Sequence, residues 1–230
     1  MPIKETFDVP FDFSRVDNGE LTLYELTQIL KPSVADLRTW TNESLDTILT
    51  IIGAANDAQV AHIPHDPDAH DPYAPAELQH IGWSLAHLVL HVTASAEEGA
   101  AVASVLARGI PYTREPRLRY EPDWQPVTTR AQVMQRLEES RRMRLAFLDT
   151  FPDEPHLDVF QDVSEKFLER FGKMNAMTRF LFGLKHEMGH YDQLREAARQ
   201  AREIAVTPNS GSASSGKAKS ATSEPKLLAA

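Results

Sequence analysis

The sequence predicts an all-α protein built as a four-helix bundle. Long stretches carry apolar residues at three-and-four spacing, and each begins near a residue that can cap a helix. No segment shows the strict alternation typical of a strand. Two sizeable proline-rich connections separate the long helices, as in bundles with crossover loops. At 230 residues the chain is long enough to bury a substantial core.

Capping residues and helix breakers set the expected boundaries. Residues 1–32 are predicted to be an irregular lead-in with a short helix over residues 21–30, which Pro32 ends. The bundle is predicted over residues 33–206, with long helices over residues 33–55, 83–108, 130–151 and 173–204. Ser33 and Thr128 are expected to cap the first and third of these helices, while Trp83 and Ser84 open the second. Residues 207–230 are rich in Ser, Gly, Ala and Lys and are predicted to be a disordered tail.

The composition of the chain indicates which classes of binding partner can be excluded. Because the net charge is −9, we expect neither nucleic acid nor an anionic membrane surface as a partner. The chain has no cysteine, which excludes disulfides and a cysteine nucleophile and fits a cytoplasmic protein. The N-terminus lacks the features of a signal peptide, and no run of about 18 apolar residues occurs that could span a membrane. We expect a small-molecule substrate and a homodimeric assembly.

Two pairs of histidines have a spacing of four residues. His186 and His190 lie in the predicted fourth helix, and His87 and His91 lie in the second. Residues four apart lie one above the other on a helix face, so each pair could offer two imidazoles to one metal ion. A lone histidine is more often a hydrogen-bonded core residue, but two such pairs in one bundle indicate a metal site. A metal held by the fourth helix needs a third ligand from another helix.

Two other mechanisms fit parts of the same sequence. Residues 186–190 read H-E-x-x-H, the zinc-protease signature in which the glutamate is the general base. The lack of a predicted sheet argues against it, and an ideal helix places Glu187 about 100° from His186, which favours a flanking or surface position. Glu187-x-x-His190 also fits a di-iron carboxylate bundle, but the other such pair, Glu77-x-x-His80, lies among prolines.

A histidine-rich segment lies between the first and second long helices. Residues 56–82 contain four histidines among prolines and aspartates: His62, His65, His70 and His80. Such a segment could be a metal-binding loop, but prolines at this density favour an irregular, solvated connection.

The fourth helix supplies two candidate pocket residues. On an ideal helix Gln193 and Arg179 share the face of His186. Gln193 is expected to line the pocket; Arg179 could hold an anionic substrate group, although extension of its guanidinium towards solvent is the favoured interpretation. Gly183 and Gly189 are costly in a helix interior, so they either open space beside the metal or allow close helix packing.

The second helix supplies two more candidate pocket residues, Glu98 and His87. Glu98 lies two turns after His91 on the same face, where it could orient a ligand, hydrogen-bond to substrate or pair with an arginine. His87 could be a fourth ligand, but we favour a role in the pocket wall or behind a ligand.

These motifs resemble those of the DinB/YfiT superfamily. In that superfamily the second helix opens with Trp-Ser, and a histidine follows eight residues after the tryptophan. Trp83, Ser84 and His91 match this pattern here. A motif of the form H-E-x-x-H-x-x-Q is formed by His186, Glu187, His190 and Gln193. The resemblance covers roughly residues 33–204. The family often has His-His-Arg-Gly where this chain has Gly189-His190-Tyr191-Asp192, which leaves the subfamily and the substrate open.

The resemblance implies a metal site with His91, His186 and His190 as ligands. Zinc and nickel are the metals it implies, and three imidazoles leave a coordination position open, as in catalytic sites. The superfamily includes thiol S-transferases that use bacillithiol, mycothiol or glutathione, and a mycothiol-dependent maleylpyruvate isomerase. We therefore expect a metal-dependent transferase, or a related isomerase or hydrolase, that activates a low-molecular-weight thiol or water. The alternative is a non-catalytic stress-response protein that binds a metal or small ligand.

Overall fold

A computed structural model describes residues 12–72, 74–113 and 117–204. All regular structure within these ranges is helical, which confirms the predicted all-α class. The helices are, in chain order, α1 (Ser14–Asp17), α2 (Leu23–Leu30), α3 (Val34–Ile52), α4 (Asp57–Val60), α5 (Leu85–Ala107), α6 (Arg130–Asp149), α7 (Glu165–Phe171), α8 (Ala176–Gly189) and α9 (Tyr191–Ile204). The predicted disordered tail and residues 1–11 of the predicted lead-in lie outside the described residues.

Side-chain caps explain where most of the helices begin. The Ser33 hydroxyl accepts a hydrogen bond from the Asp36 amide, and the Asp36 carboxylate accepts one from the Ser33 amide at 2.8 Å, so α3 begins with a complete capping box. Ser84 caps α5 in the predicted place by accepting from the amide of His87. The predicted cap of α6 is wrong by one residue, because Thr129 and not Thr128 forms the box with Gln132.

Helices α3, α5, α6 and the α8–α9 pair form the four-helix bundle. α5 packs against α6 on one side and α8 on the other, and α3 packs against α6, α8 and α9. Nearly every residue of α5 is buried, as expected for a helix that is apolar around its whole circumference. The apolar core fills the bundle with residues such as Leu45, Leu88, Leu137 and Leu194.

Two glycines allow α5 and α8 to pack backbone against backbone. A Cβ atom built on Gly183 would lie 3.0 Å from the Cα of Ala96, and one built on Gly99 would lie 3.2 Å from the Cα of Gly183. The sequence left open whether Gly183 opens space or permits close packing, and the structure supports close packing. No atom lies within 4 Å of a Cβ built on Gly189, so that residue is under no comparable constraint.

The sequence predicts one continuous fourth helix, and this prediction is wrong, because the structure divides it into α8 and α9. α8 begins after the cap Asn175 rather than at Lys173 and ends at Gly189, and α9 begins at Tyr191. Between them His190 has φ −94° and ψ 1°, and its amide donates to the Glu187 carbonyl three residues back. This tightened turn interrupts the helix at a predicted metal ligand. Three short helices, α1, α4 and α7, lie in segments predicted to be irregular.

None of the described helices is both long enough and apolar enough to cross a lipid bilayer.

Candidate metal centre

Three histidines from α5 and the α8–α9 junction converge inside the bundle. The ring centroids of His91 and His186 are 5.0 Å apart, those of His91 and His190 are 5.1 Å apart, and those of His186 and His190 are 4.8 Å apart. One nitrogen of each ring lies within 4.8 Å of the others, so the three could hold a metal ion together. Within the described part of the chain, this is the only group of at least three potential ligands that meets so closely.

Helix packing and the helix break together bring these rings to one place. The contact of Gly183 with Ala96 lies about one turn from His186 and about one and a half turns from His91, so the two helices run close together near the residues that carry the imidazoles. His190 occupies the junction between α8 and α9, in a sparsely populated backbone region where functional residues are often found.

A hydrogen bond fixes the ring of His190. Its Nδ1 lies 2.8 Å from the Oε1 of Gln193, one turn along α9. An amide oxygen accepts, so Nδ1 carries the proton and Nε2 presents its lone pair. Gln193 therefore orients a ligand, which is the kind of role that residues behind metal-binding histidines commonly have.

His91 is contacted by a carboxylate and a guanidinium from the loop between α5 and α6. Its Nδ1 lies 3.1 Å from Glu121 Oε1 and 3.1 Å from Arg119 Nη2. A guanidinium can only donate, so a bond from Arg119 would put the ring proton on Nε2 and block that nitrogen as a ligand. The bond to Glu121 has the opposite effect, because it holds the proton on Nδ1 and leaves Nε2 available. Burial alone would raise the pKa of Glu121, but hydrogen bonds from His91 and Arg119 lower it to about 2.

His186 is a partly buried imidazole whose Nδ1 is inaccessible and finds no hydrogen-bond partner among the described residues. Burial, followed by the charges of His190 and His91, lowers the pKa of His186 to about 3. Burial also lowers the pKa of His190, against the opposing effect of its hydrogen bond to Gln193. Both rings are therefore neutral at neutral pH, which is the form that binds a metal. A divalent cation fits this set of three closely spaced imidazoles, because it can bind the lone pairs of their nitrogens and because one buried nitrogen, His186 Nδ1, has no hydrogen-bond partner among the described residues.

An aromatic stack borders the three histidines. The ring of His87 lies between two indoles, with its centroid 4.4 Å from that of Trp83 and 4.8 Å from that of Trp124. Trp83 also contacts His91, at 4.6 Å between centroids. Burial and the charge of His91 lower the pKa of His87 to about 4, so it is neutral near pH 7. His87 is outside the three-histidine group and forms part of the pocket wall.

A half-open cavity of about 630 Å³ leads to His91. It lies between the 56–82 connection and the loop that joins α5 to α6, and a small organic molecule would fit within it. Its lining residues are Asp71, Ala74, Pro75, Leu78, Ile81, His87, His91, Arg117, Arg119, Glu121, Asp123, Trp124 and Gln125.

The two other candidate pocket residues form an ion pair beside this cavity. The Glu98 carboxylate accepts two hydrogen bonds from Arg117, at 2.9 and 3.1 Å, and lies 3.6 Å from the Nη2 of Arg179. Neither Glu98 nor Arg179 is among the residues that line the cavity. The favoured extension of Arg179 towards solvent is wrong, because its side chain is only 9% exposed and stacks over Phe182. The alternative in which Glu98 pairs with an arginine agrees with the structure.

Glu187 is not the flanking or surface residue that helix geometry suggested. It is fully buried, with 0% of its surface exposed, and its Oε1 accepts hydrogen bonds from Ser44 and from Arg144. A carboxylate held in this way is not free to act as the base of a zinc protease. The described residues also contain no strand that could bind a peptide in extended form.

The other motifs of the sequence do not join the site. Glu77 and His80 lie in the irregular connection, and neither belongs to the three-histidine group, so the described residues provide no di-iron ligand set. His70 and His80 stack on each other at 5.3 Å, away from that group. The 56–82 connection, apart from the short helix α4, is irregular as expected.

Three residues that border the candidate metal centre were not predicted from the sequence. Arg119, Glu121 and Trp124 all come from the α5–α6 loop, which is neither helix nor strand and has no helical period from which their orientation could be inferred. The signal available was the alternation in Arg117-Leu118-Arg119-Tyr120-Glu121. Its charged members line the cavity, while Leu118 and Tyr120 are 44% and 76% exposed.

Comparison with known proteins identifies the family. Residues 41–194 match the DinB superfamily, and this match spans α3 through the start of α9 with all three histidines. The chain belongs to the DinB superfamily. No curated protein and no solved structure is similar enough to count as a match. A three-histidine group of this kind fits a DinB-like metal protein.

Proposed function

We propose that this protein is a metal-dependent enzyme that activates a low-molecular-weight thiol or water, with thiol S-transfer as the leading reaction. The observation that carries the proposal is the convergence of His91, His186 and His190 beside an accessible cavity. Family membership supports it, because the superfamily resemblance implies thiol-dependent transferases and related isomerases or hydrolases.

Imidazole ligands suit zinc or nickel among the common divalent ions. When bound by three imidazoles, such an ion keeps a position open and lowers the pKa of a thiol or water molecule placed there. The chain has no cysteine of its own, so a thiol nucleophile would have to come from a cosubstrate. No anionic protein ligand is among the three, which leaves more positive charge at the site to stabilise a thiolate.

The surrounding residues hold the ligands and the substrate. Gln193 accepts the Nδ1 proton of His190, and Glu121 can accept that of His91, which leaves Nε2 of each ring available to a metal. Trp83, His87 and Trp124 form an uncharged aromatic stack, and two of its rings, His87 and Trp124, line the cavity. Arg119 lies on the cavity wall next to His91, where it can contact a negatively charged group of the thiol or the electrophile.

Turnover distinguishes this proposal from the alternative of a non-catalytic protein that binds a metal or small ligand. Purified protein loaded with zinc or nickel is incubated with bacillithiol, mycothiol, glutathione or cysteine and with a panel of electrophiles, and thiol consumption is followed. We expect a rate above the uncatalysed reaction with at least one thiol, and we expect its loss in His186→Ala. Stoichiometric binding without turnover across the panel would favour the non-catalytic alternative. A substrate that is hydrolysed or isomerised instead would identify a related enzyme activity.

A further inference from the structure

A buried group of four polar side chains holds the junction between α8 and α9. Ser44 comes from α3, Arg144 from α6, Glu187 from α8 and Tyr191 from α9, and we call this group the junction clamp. All four are nearly inaccessible, with exposed fractions of 0%, 1%, 0% and 3%. Polar side chains buried to this degree are costly even when they are hydrogen-bonded, and here Arg144 Nε and Nη2 and Glu187 Oε2 find no partner among the described residues.

The hydrogen bonds of the junction clamp form a continuous chain. The Tyr191 hydroxyl lies 2.6 Å from the Ser44 hydroxyl, which donates in turn to Glu187 Oε1. Arg144 Nη1 donates to the same carboxylate oxygen at 3.2 Å. Ser44 donates its one hydroxyl proton to Glu187, so the Tyr191 hydroxyl is the donor to Ser44, whose hydroxyl lies 2.6 Å away and whose carbonyl oxygen lies 3.2 Å away. Ser44 thereby connects a residue of α8 with a residue of α9.

The clamp residues are the chain neighbours of two metal-site histidines. Glu187 directly follows His186, and Tyr191 directly follows His190. Successive side chains on a helix point about 100° apart, so the clamp faces the bundle core while the imidazoles of His186 and His190 face His91. At the break the His190 amide donates to the carbonyl of Glu187 instead of that of His186, so regular helix geometry does not fix the two histidines relative to each other. The clamp bridges this interruption.

We propose that the junction clamp positions His186 and His190 for metal binding, and that Ser44 and Tyr191 are positioning residues of the site. This inference rests on the proposed function, because it assigns the clamp a purpose only if the histidines bind a metal. Buried ion pairs contribute little net stability compared with apolar packing, so a buried quartet at this place is better explained by the geometry it enforces. The glutamate of the H-E-x-x-H sequence thus holds the ligands in place rather than acting as a base.

The test compares clamp variants with variants at matched buried positions. Tyr191→Phe and Ser44→Ala each remove one hydroxyl of the clamp, and Tyr191→Phe retains the ring that packs in the core. Ser140→Ala is the control for Ser44→Ala, because Ser140 is equally buried and its hydroxyl makes no hydrogen bond within the described chain. Glu97→Gln is the control for Glu187→Gln, because Glu97 forms a buried pair with Arg136 at 2.7 Å that involves only α5 and α6.

Zinc affinity by competition titration and the visible spectrum of the Co²⁺ form provide the readouts. We expect Tyr191→Phe, Ser44→Ala and Glu187→Gln to weaken zinc binding by about 10–100-fold, as changes behind metal ligands commonly do, and to shift the Co²⁺ bands. Ser140→Ala and Glu97→Gln should retain the wild-type affinity and spectrum, even where they lower the melting temperature. Wild-type values in Tyr191→Phe and Ser44→Ala, or equal changes in the controls, would overturn the inference. A wild-type protein that binds neither ion would overturn the proposed function as well.

Discussion

Replacement of Gly183 by alanine tests the packing that brings α5 and α8 together. The new Cβ would lie 3.0 Å from the Cα of Ala96 and 3.3 Å from its carbonyl oxygen. Carbon atoms in favourable contact are about 3.5–4.0 Å apart, so the helices would have to separate by roughly 0.5–1 Å. Such overpacking costs about 1–3 kcal/mol, whereas alanine gains about 1 kcal/mol over glycine from helix propensity. We therefore expect Gly183→Ala to change the free energy of unfolding by about 0–2 kcal/mol, towards lower stability.

Gly189→Ala is the matched control, because it makes the same chemical change in the same helix where no atom lies within 4 Å of the new Cβ. Both variants gain helix propensity from the change of glycine to alanine, and only Gly183→Ala is overpacked. We therefore expect their free energies of unfolding to differ by about 1–3 kcal/mol, the cost of overpacking. For a chain of this length that difference corresponds to roughly 2–4 °C in melting temperature per kcal/mol. Urea denaturation and calorimetry of the metal-free proteins measure it. Equal stabilities of the two variants would refute the close-packing argument.

Two further predictions concern the ionisation and orientation of the histidines. The folded pKa of His186 is about 3 and that of His87 about 4, both below the ordinary value of 6.5, so the unfolded chain binds more protons between these limits. The metal-free protein should therefore lose stability as the pH falls below about 6.5, by at most about 1.4 kcal/mol per pH unit for each histidine. His87→Phe keeps the aromatic stack and should flatten this slope in urea denaturation from pH 7 to 5; an unchanged slope would contradict the prediction. Glu121→Gln should weaken zinc binding by about 10-fold or more, because it loosens the bond that keeps the proton of His91 on Nδ1. Arg119→Met should strengthen zinc binding, since it removes a competing donor and a nearby positive charge; the reverse order in a competition titration would refute the assigned hydrogen bonds.

Periodicity and capping made most of the fold predictable. The apolar spacing of α3 and the Ser33 cap are local signals, and both agree with the structure. The break at His190 could not be predicted from the sequence. Residues 185–194 contain no proline, and a single glycine such as Gly189 costs a helix only about 1 kcal/mol, which does not by itself end it. It depends instead on tertiary contacts, such as those that Tyr191 makes with α3.

The candidate site was predictable only where its residues follow helix geometry. The spacing of His186 and His190, with the resemblance that added His91, led to the three residues that the structure brings together. The burial of Glu187 was not predictable. The angle between Glu187 and His186 around the helix axis does not show which other helix packs against the glutamate. Its partner Ser44 is 143 residues away in the chain, and burial of the carboxylate makes sense only beside such partners. The loop residues follow no helical period, and the alternation over residues 117–121 does not say which neighbours its charged side chains meet, so their contribution became visible only in three dimensions.

Metal content and zinc affinity of the purified protein test the central claim most directly. Elemental analysis and a competition titration are performed on the wild type and on alanine variants of His91, His186, His190 and His87. The three-histidine site predicts about one divalent ion per wild-type chain, loss of most of the metal in the first three variants, and retention in His87→Ala. Full metal content in the first three variants, or no metal binding by the wild type, would contradict it.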